Sequence, residues 1–155
     1  MSIPNLDKTD RAILNLLQAD GSMTYKEIAG KVGKSMTSVV ERIRFLKCNH
    51  YIKRTVALID IEKVRPLMVA FPHIQLKEHS QENILDFKKR MSTYAEVMEC
   101  FHLTGHFDFM IKIVLPDMVG YNEFMTTNIA SLPYVGAIQS FLVLSETKHE
   151  TAYLL

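Results

Sequence analysis

Apolar residues recur at helical spacing over the first third of the chain, and in short blocks separated by turn residues over the rest. Ile13, Leu14, Leu16 and Leu17 give one buried side to a helix expected from about Asp7 to Ala19. Pro4 and Asn5 lead into it, Asp7 can cap it, and Ala19-Asp20-Gly21 stops it. Thr24 with Glu27 forms a capping-box pair that opens a second, short helix carrying Ile28, Ala29 and Val32 on one side. Gly33 stands where the chain must turn sharply, at a φ that only glycine adopts cheaply. Ser35 can cap a third helix, on which Val39, Ile43 and Leu46 recur at i, i+4 and i+7. Small Ala29 lets two helices approach, Gly33 makes the turn and Val39 fills the angle between them, which is the pattern of a helix-turn-helix.

Beyond the third helix the period changes. Tyr51 to Ile61 reads as a connecting strand, followed by a hinge near Glu62–Pro66. Strands are then expected at Leu67–Leu76, Val97–Leu103, Phe107–Leu115 and Val135–Ser145, with Thr104-Gly105-His106 as a hairpin turn. Helices are expected from Ser80 to about Ser92 and from Pro116-Asp117 to about Ala130, the latter ended by Leu132-Pro133-Tyr134. The order β-α-β-β-α-β favours an antiparallel ferredoxin-like sheet with both helices on one face. Pro72 conflicts with its strand because it cannot donate to a ladder, and a bulge would reconcile the two. The fold class is therefore α+β. A helix-turn-helix domain of winged type over 1–62, connecting strand included, precedes a ferredoxin-like sensing and oligomerisation domain over 63–155.

The strands are apolar on both faces in places, as at Val97 and Met98, at Ile111 and Ile113 with Val114, and from Phe141 to Leu144. That is more than a monomeric sheet exposes, so a dimer through the face opposite the helices is expected. Two-fold symmetry would then set two recognition helices on a palindromic site.

Charge sharpens this division. The 155 residues are 48% hydrophobic and 23% charged, enough to bury a core, and carry a net charge of +1. Residues 1–60 nonetheless hold +4 and residues 61–155 hold −3. Between Thr24 and Arg54 eight Lys/Arg stand against Glu27 and Glu41. A polyanion partner belongs at the front. The face of the third helix away from its apolar stripe carries Met36, Thr37, Ser38, Glu41, Arg42 and Arg44, preceded by Lys34 and Ser35. Short hydroxyls early and arginines later suit contacts to base edges and phosphates of double-stranded DNA.

Cys48 and Cys100 have neither a CxxC nor a zinc-site spacing, and read as reduced thiols. The start MSIPNLDKTD lacks a signal-peptide pattern, and no stretch approaches about 20 apolar residues. A cytoplasmic protein with no membrane span is expected. No catalytic triad spacing, phosphate-cradling loop, cofactor box or metal-ligand set stands out. His102 and His106 stand near Asp108, but no full set of metal ligands is evident there, and the nine Met residues read as core filler.

The words LDKTDRAIL at 6–14, IAGKVGKS at 28–35, VVERIRFL at 39–46 and the following YIKR resemble the leucine-responsive regulator/asparagine regulator (Lrp/AsnC) family of prokaryotic transcription factors. The back half is similar to that family's ligand-sensing domain in TGHFDFMIKIVLPD at 104–117, SLPYV at 131–135 and FLVLSETK at 141–148. The resemblance implies a dimer that binds DNA through its front domains and assembles further, commonly to octamers, through its back domains. It also implies a small effector, often an amino acid, held between subunits at the hairpin turn. By carry-over Thr104, Gly105, His106 and Asp108 would line that pocket, with Tyr134, Val135, Gln139 and Ser140 arriving from a neighbouring subunit. The chain departs from the family pattern twice. His106 stands where the family usually has an acid that could pair with an ammonium group, and a neutral imidazole cannot supply that charge. His50 stands where a glycine usually follows the recognition helix, so that cap should strain or reshape.

Two functions from different classes follow. One is a sequence-specific DNA-binding regulator modulated by a small effector, with no enzymatic activity. The alternative is an enzyme on the same frame, such as the haem-biosynthetic decarboxylases that resemble this family. It would use His50, Lys53, Arg54 and His73 and would not need an intact basic recognition helix.

Overall fold

Each of the first three helices begins where a side chain satisfies its free amides. In the computed structural model, which describes residues 6–155 apart from the Glu62 side chain, these are α1 (Lys8–Ala19), α2 (Tyr25–Val32) and α3 (Met36–Cys48). The lead-in at Pro4 and Asn5 lies outside the described residues. Asp7 and Asp10 form a capping box on α1, and Thr24 and Glu27 form one on α2. Ser35 accepts from the Ser38 amide at the start of α3. The three helices close over Ile13, Leu14, Ile28, Ala29, Val39, Ile43 and Leu46, all buried. Gly33 takes a left-handed φ of 64°, and the Lys34 amide donates to the Ala29 carbonyl, so the turn between α2 and α3 satisfies the helix end.

The end of α3 repeats that device with the wrong residue. His50 has φ 60°, the one left-handed non-glycine residue among the described residues. Its amide donates to the Lys47 carbonyl and the Tyr51 amide to the Leu46 carbonyl, the bond pair of a Schellman cap. Phe45 and Tyr51 stack beside it at 6.3 Å between ring centres. The cap keeps its shape, and the strain falls on His50.

After that cap the expected strand Tyr51–Ile61 does not form. The segment is irregular up to a 3-10 turn at Ile61–Lys63, and Val56, Leu58 and Ile59 are exposed. Among the described residues no strand pairs with it, and an unpaired strand has no ladder to hold it.

The second unit is a sheet covered on one side. Its strands are β1 (Met68–Leu76), β2 (Val97–His102), β3 (Phe109–Leu115) and β4 (Val135–Leu142), hydrogen-bonded in the antiparallel order β2-β3-β1-β4. Helix α4 (Gln81–Met91) crosses between β1 and β2. Helix α5 (Met118–Phe124) runs on through a π-helical turn, Met125–Ala130, before β4. Ser80 and Asp117 cap the two helices. Phe87, Met91, Tyr121, Phe124, Met125 and Ile129 pack over Ala70, Ile74, Phe109, Ile111 and Ile113. This is the expected βαββαβ sheet, with shorter strands: Phe107 and Asp108 belong to the turn, and β4 stops before Val143.

Pro72 sits in the central strand without the expected bulge. The offset between β1 and β3 is the same before and after it, but Phe71 and Pro72 drop out of that pairing. Pro72 stays paired with Ser140 of β4. The missing N–H therefore removes a rung on the β3 side and leaves the register intact. The irregularity in β1 lies later, between Ile74 and Leu76 against β4.

The chain divides between Ile59 and Asp60. Lys148–Leu155, expected with the second domain, group instead with the helical one. There the Gln18 side-chain amide donates to the Tyr153 carbonyl (3.1 Å) and accepts from the Tyr153 amide (2.8 Å).

Replacing His50 by glycine relieves the left-handed strain while keeping the cap. His50→Gly is expected to raise the unfolding free energy by about 1 kcal/mol, read from the urea midpoint at constant slope. An unchanged or lower midpoint would show that His50 is not strained.

Candidate functional site

Val39, Ile43 and Leu46 turn one side of α3 wholly into the helical core. The helical repeat then presents Met36, Thr37, Val40, Glu41, Arg44 and Lys47 outward, all exposed. Lys34 and Ser35 lie exposed just before the helix, and Ser38 is half-buried at its flank. Arg44 takes part in no ion pair among the described residues. Lys47 was counted only in the local excess of charge, and Val40 was left out of the expected face because it reads as one more apolar helix residue beside Val39. Only projecting the whole helix separates the two.

Arg42 does not belong with the outward set. Its Nη1 donates to Asp7 Oδ2 and to Asp10 Oδ1, each at 2.7 Å, and its side chain is 30% exposed. Each aspartate uses its other oxygen inside the capping box: Asp10 N–H donates to Asp7 Oδ1 (2.8 Å), and Asp7 N–H to Asp10 Oδ2 (3.1 Å). One arginine thus clamps the recognition helix to the first turn of α1. The sequence shows Arg42 off the apolar stripe, but not that two acids more than thirty residues earlier would face it.

The same arrangement shifts protonation. The Asp10 amide and then the Arg42 guanidinium hold the Asp7 carboxyl below the usual carboxylate range. Arg42 is itself held further towards its charged form by Asp7 and Asp10.

The expected effector residues fall into three places. Thr104, Gly105 and His106 form an exposed turn between β2 and β3, with Gly105 at φ 119° and His106 edge-on to Phe107. Asp108 is buried at the base of that turn. Its Oδ2 accepts from the Leu76 amide at 2.7 Å, and its Oδ1 lies 2.8 Å from His79 Nε2. Its backbone accepts from the Leu103 amide and donates to the Ile74 carbonyl, which fixes the turn against the end of β1. Tyr134 and Val135 reach the same end of β1, because the Lys77 amide donates to the Tyr134 carbonyl.

Two side chains there are already engaged. Val135 is buried in the core. The Tyr134 hydroxyl donates to Asp86 Oδ2 (2.6 Å), which Arg90 Nε also approaches at 2.6 Å. Burial and then that bond push the Tyr134 phenol above its usual range, and the same bond, with Arg90, pulls Asp86 down.

Gln139 and Ser140 stand apart from the turn within one chain. They pair with His73 and Pro72, further back along β1. The Tyr121 hydroxyl donates to Ser140 Oγ, on the helix side of the sheet. Gln139 is on the opposite, open side with His73, whose ring lies edge-on to Phe107 (5.5 Å) and Phe141 (5.0 Å). Lys77 and His79 were missed because they lie in a loop where no periodicity singles them out. Among the described residues no three potential ligands gather as a metal site, and no helix is long and apolar enough to cross a membrane.

The Arg42 clamp makes a testable difference. Arg42→Ala is expected to lower the urea midpoint of the helical domain. Because the folded state depresses Asp7, that stabilisation is complete above the ordinary aspartate value of about 3.9 and is lost as pH falls through the lower folded value. The gap between wild type and variant should therefore be constant near neutrality and shrink in strong acid. A gap that is absent, or independent of pH, would rule out the clamp.

Similarity to known proteins follows the same two-part division. Residues 6–47 match the AsnC-type helix-turn-helix domain, and residues 69–153 match the Lrp/AsnC ligand binding domain. The chain is 32% identical over 147 residues to the Bkd operon transcriptional regulator of Pseudomonas aeruginosa, covering 95% of this chain and 96% of that one. It is 29% identical over 151 residues to the leucine-responsive regulatory protein of Escherichia coli K12, covering 97% and 92%. Among solved structures, a transcriptional regulator of Neisseria meningitidis in complex with L-Met superposes with a TM-score of 0.89 at 30% identity, over 97% of both chains. An AsnC family regulator of Agrobacterium tumefaciens gives 0.89 at 31% identity, over 96% of this chain and 97% of that one. With both domains matched in order over nearly its whole length, this chain belongs to the Lrp/AsnC family of transcriptional regulators.

Proposed function

We propose that this regulator reads double-stranded DNA with the outward face of α3 and responds to a small effector at the Thr104–Asp108 turn. The observation that carries the DNA reading is the division of α3 into two sides. The inner side is wholly buried and clamped through Arg42, and the outer side exposes hydroxyls, Val40 and Arg44, which makes no ion pair among the described residues. Thr37, Glu41 and Arg44 reach base edges, and Val40 offers an apolar contact of the kind a thymine methyl accepts. Lys34, Lys47, the Ser35 hydroxyl and the first amides of α3 meet phosphates. Arg42 acts as a positioning residue and not as a contact.

The open face of the sheet supports self-association. Alternation from the buried Ala70, Ile74, Ile111 and Ile113 puts Val69, Phe71, Met110 and Val114 on the side without helices. Phe101 and Phe141, paired with Met110 and Phe71, join them and remain 42% and 49% exposed. A second copy covering this face gives a two-fold dimer suited to a palindromic operator, with octamers built on it. The effector reading draws on the L-Met complex of the Neisseria relative and on the meeting of the turn with Tyr134 at one end of the sheet. The effector is of amino-acid size, bound between subunits, with no cofactor. The protein acts in the cytoplasm, where its DNA is. Of the residues named for the enzyme alternative, His73 is packed edge-on between Phe107 and Phe141, and His50, Lys53 and Arg54 are exposed around the end of α3.

Arg44→Ala is expected to weaken specific DNA binding by roughly 1–2 kcal/mol, about tenfold, with no change in the urea midpoint, measured by fluorescence anisotropy at matched salt. Retained affinity would remove Arg44 from the interface. Phe141→Glu is expected to shift the protein towards monomer in light scattering, and an unchanged mass would place the dimer contact elsewhere.

A further inference from the structure

The chain crosses between its two units twice. It leaves the helical unit after Ile59 and rejoins it after Thr147. The first connection is long. Between the Ile52 amide, which donates to the Leu46 carbonyl, and Met68 of β1, only the 3-10 turn Ile61–Lys63 is regular. The second is shorter. The Val143 amide donates to the Val69 carbonyl and so extends the pairing of β4, and residues 144–152 then lead to Tyr153. The returning segment is shaped and fastened. Glu150 turns it by accepting from the Thr151 amide (3.0 Å) and the Ala152 amide (3.1 Å). Tyr153 is held by its backbone, since the residue is 78% exposed while Gln18 engages both its N–H and its carbonyl. A side-chain amide carries the donor and the acceptor that a peptide group needs, so Gln18 supplies one rung of pairing from the side of α1. Asn15 Oδ1 also accepts from Gln18 Nε2, at 3.4 Å.

Two exposed hydrogen bonds, each worth about 1 kcal/mol, would not hold a free peptide. A tail attached a few residues away closes intramolecularly, at a high effective concentration, and needs no more than that. We infer that Lys148–Leu155 is a strap that holds the helical unit on a short tether, and thereby fixes the spacing between the two DNA half-sites that the dimer accepts. With Tyr153 fastened to Gln18, the path 144–152 sets the reach of the helical unit, at about 3.5 Å per residue at most. Unfastened, only the longer path 53–67 limits it. In a dimer joined through its sheets, that reach sets how far apart the two α3 helices can stand. The inference rests on the reading of α3 as the DNA-contacting helix and of the open sheet face as the dimer contact.

The test uses duplexes that the full-length wild type selects from a random pool, and copies of them with two base pairs inserted between the half-sites. The insertion moves one half-site by about 7 Å and about 70° around the duplex. Binding is measured by fluorescence anisotropy for the wild type, Gln18→Ala, Tyr153→Pro and Tyr153→Phe, all full length. Gln18→Ala opens the strap from α1, where alanine keeps the helix. Tyr153→Pro opens it from the tail by removing the N–H, and Tyr153→Phe keeps both backbone bonds. The insertion is expected to weaken the wild type and Tyr153→Phe at least about tenfold, and the two opened variants less than about threefold. The Tyr153 amide should exchange with deuterium at least about tenfold more slowly in the wild type than in Gln18→Ala. Equal loss on insertion in all four proteins overturns the strap, and so does a Tyr153 amide that exchanges equally fast in both. If the wild type selects no sequence, the DNA reading falls and the inference with it. If it selects single half-sites as a monomer, the dimer reading falls and takes the inference with it.

Discussion

The buried side of α3 is the constraint on which the DNA-reading half depends. A recognition helix offers a fixed pattern of side chains only if it cannot roll about its own axis. Val39 and Leu46 are fully enclosed and Ile43 nearly so, which sets that rotation through packing. Arg42 then ties the helix to the capping box of α1, joining two elements that the turn at Gly33 does not link directly. Polar groups and packing do different work here. The apolar contacts supply most of the stability, and the two charge-assisted bonds set an angle.

The sheet half answers a different demand. Helices cover one face, so the other must meet solvent or a partner. Its aromatic residues, Phe71, Phe101, Phe107 and Phe141 with His73 among them, are more than solvent contact explains. The strand accepts Pro72 at the loss of one rung because its other neighbour, β4, keeps one register from Ala70 to Ile74 around it. At the far end of β1, Asp108 holds the hairpin turn in place with backbone as well as side-chain bonds. A rigid turn is what a binding site between subunits requires. Asp108 thus fixes the shape of the turn through bonds within its own chain.

Much of this was legible in the sequence, and the reasons for success and failure are physical. The caps at Asp7, Thr24, Ser35 and Ser80, the stripe of Val39, Ile43 and Leu46, and the strand order of the second half all arise from local patterns. The special place of position 50 came from the family resemblance, in which a glycine usually follows this helix, and the structure shows the cap kept with His50 left-handed. What failed depended on distant partners. Arg42 looks like any exposed arginine until Asp7 and Asp10 are placed opposite. Lys77 and His79, which meet the Pro133 carbonyl and Asp108, have no periodic signal. The segment 51–61 has the β-rich composition of a strand but no strand beside it, and the tail at Tyr153 meets Gln18 through a contact no short-range pattern encodes.

The most direct test of the central claim is a hydroxyl-radical footprint of the full-length protein on its own upstream DNA. It would be compared with a variant in which Thr37, Val40 and Arg44 are all alanine. Protection should appear in paired half-sites spaced by whole helical turns of about 10 base pairs, should fade as salt rises, and should vanish in the variant while its fold is kept. A sequence-specific footprint that survives in the variant would contradict the claim that the outward face of α3 reads the DNA.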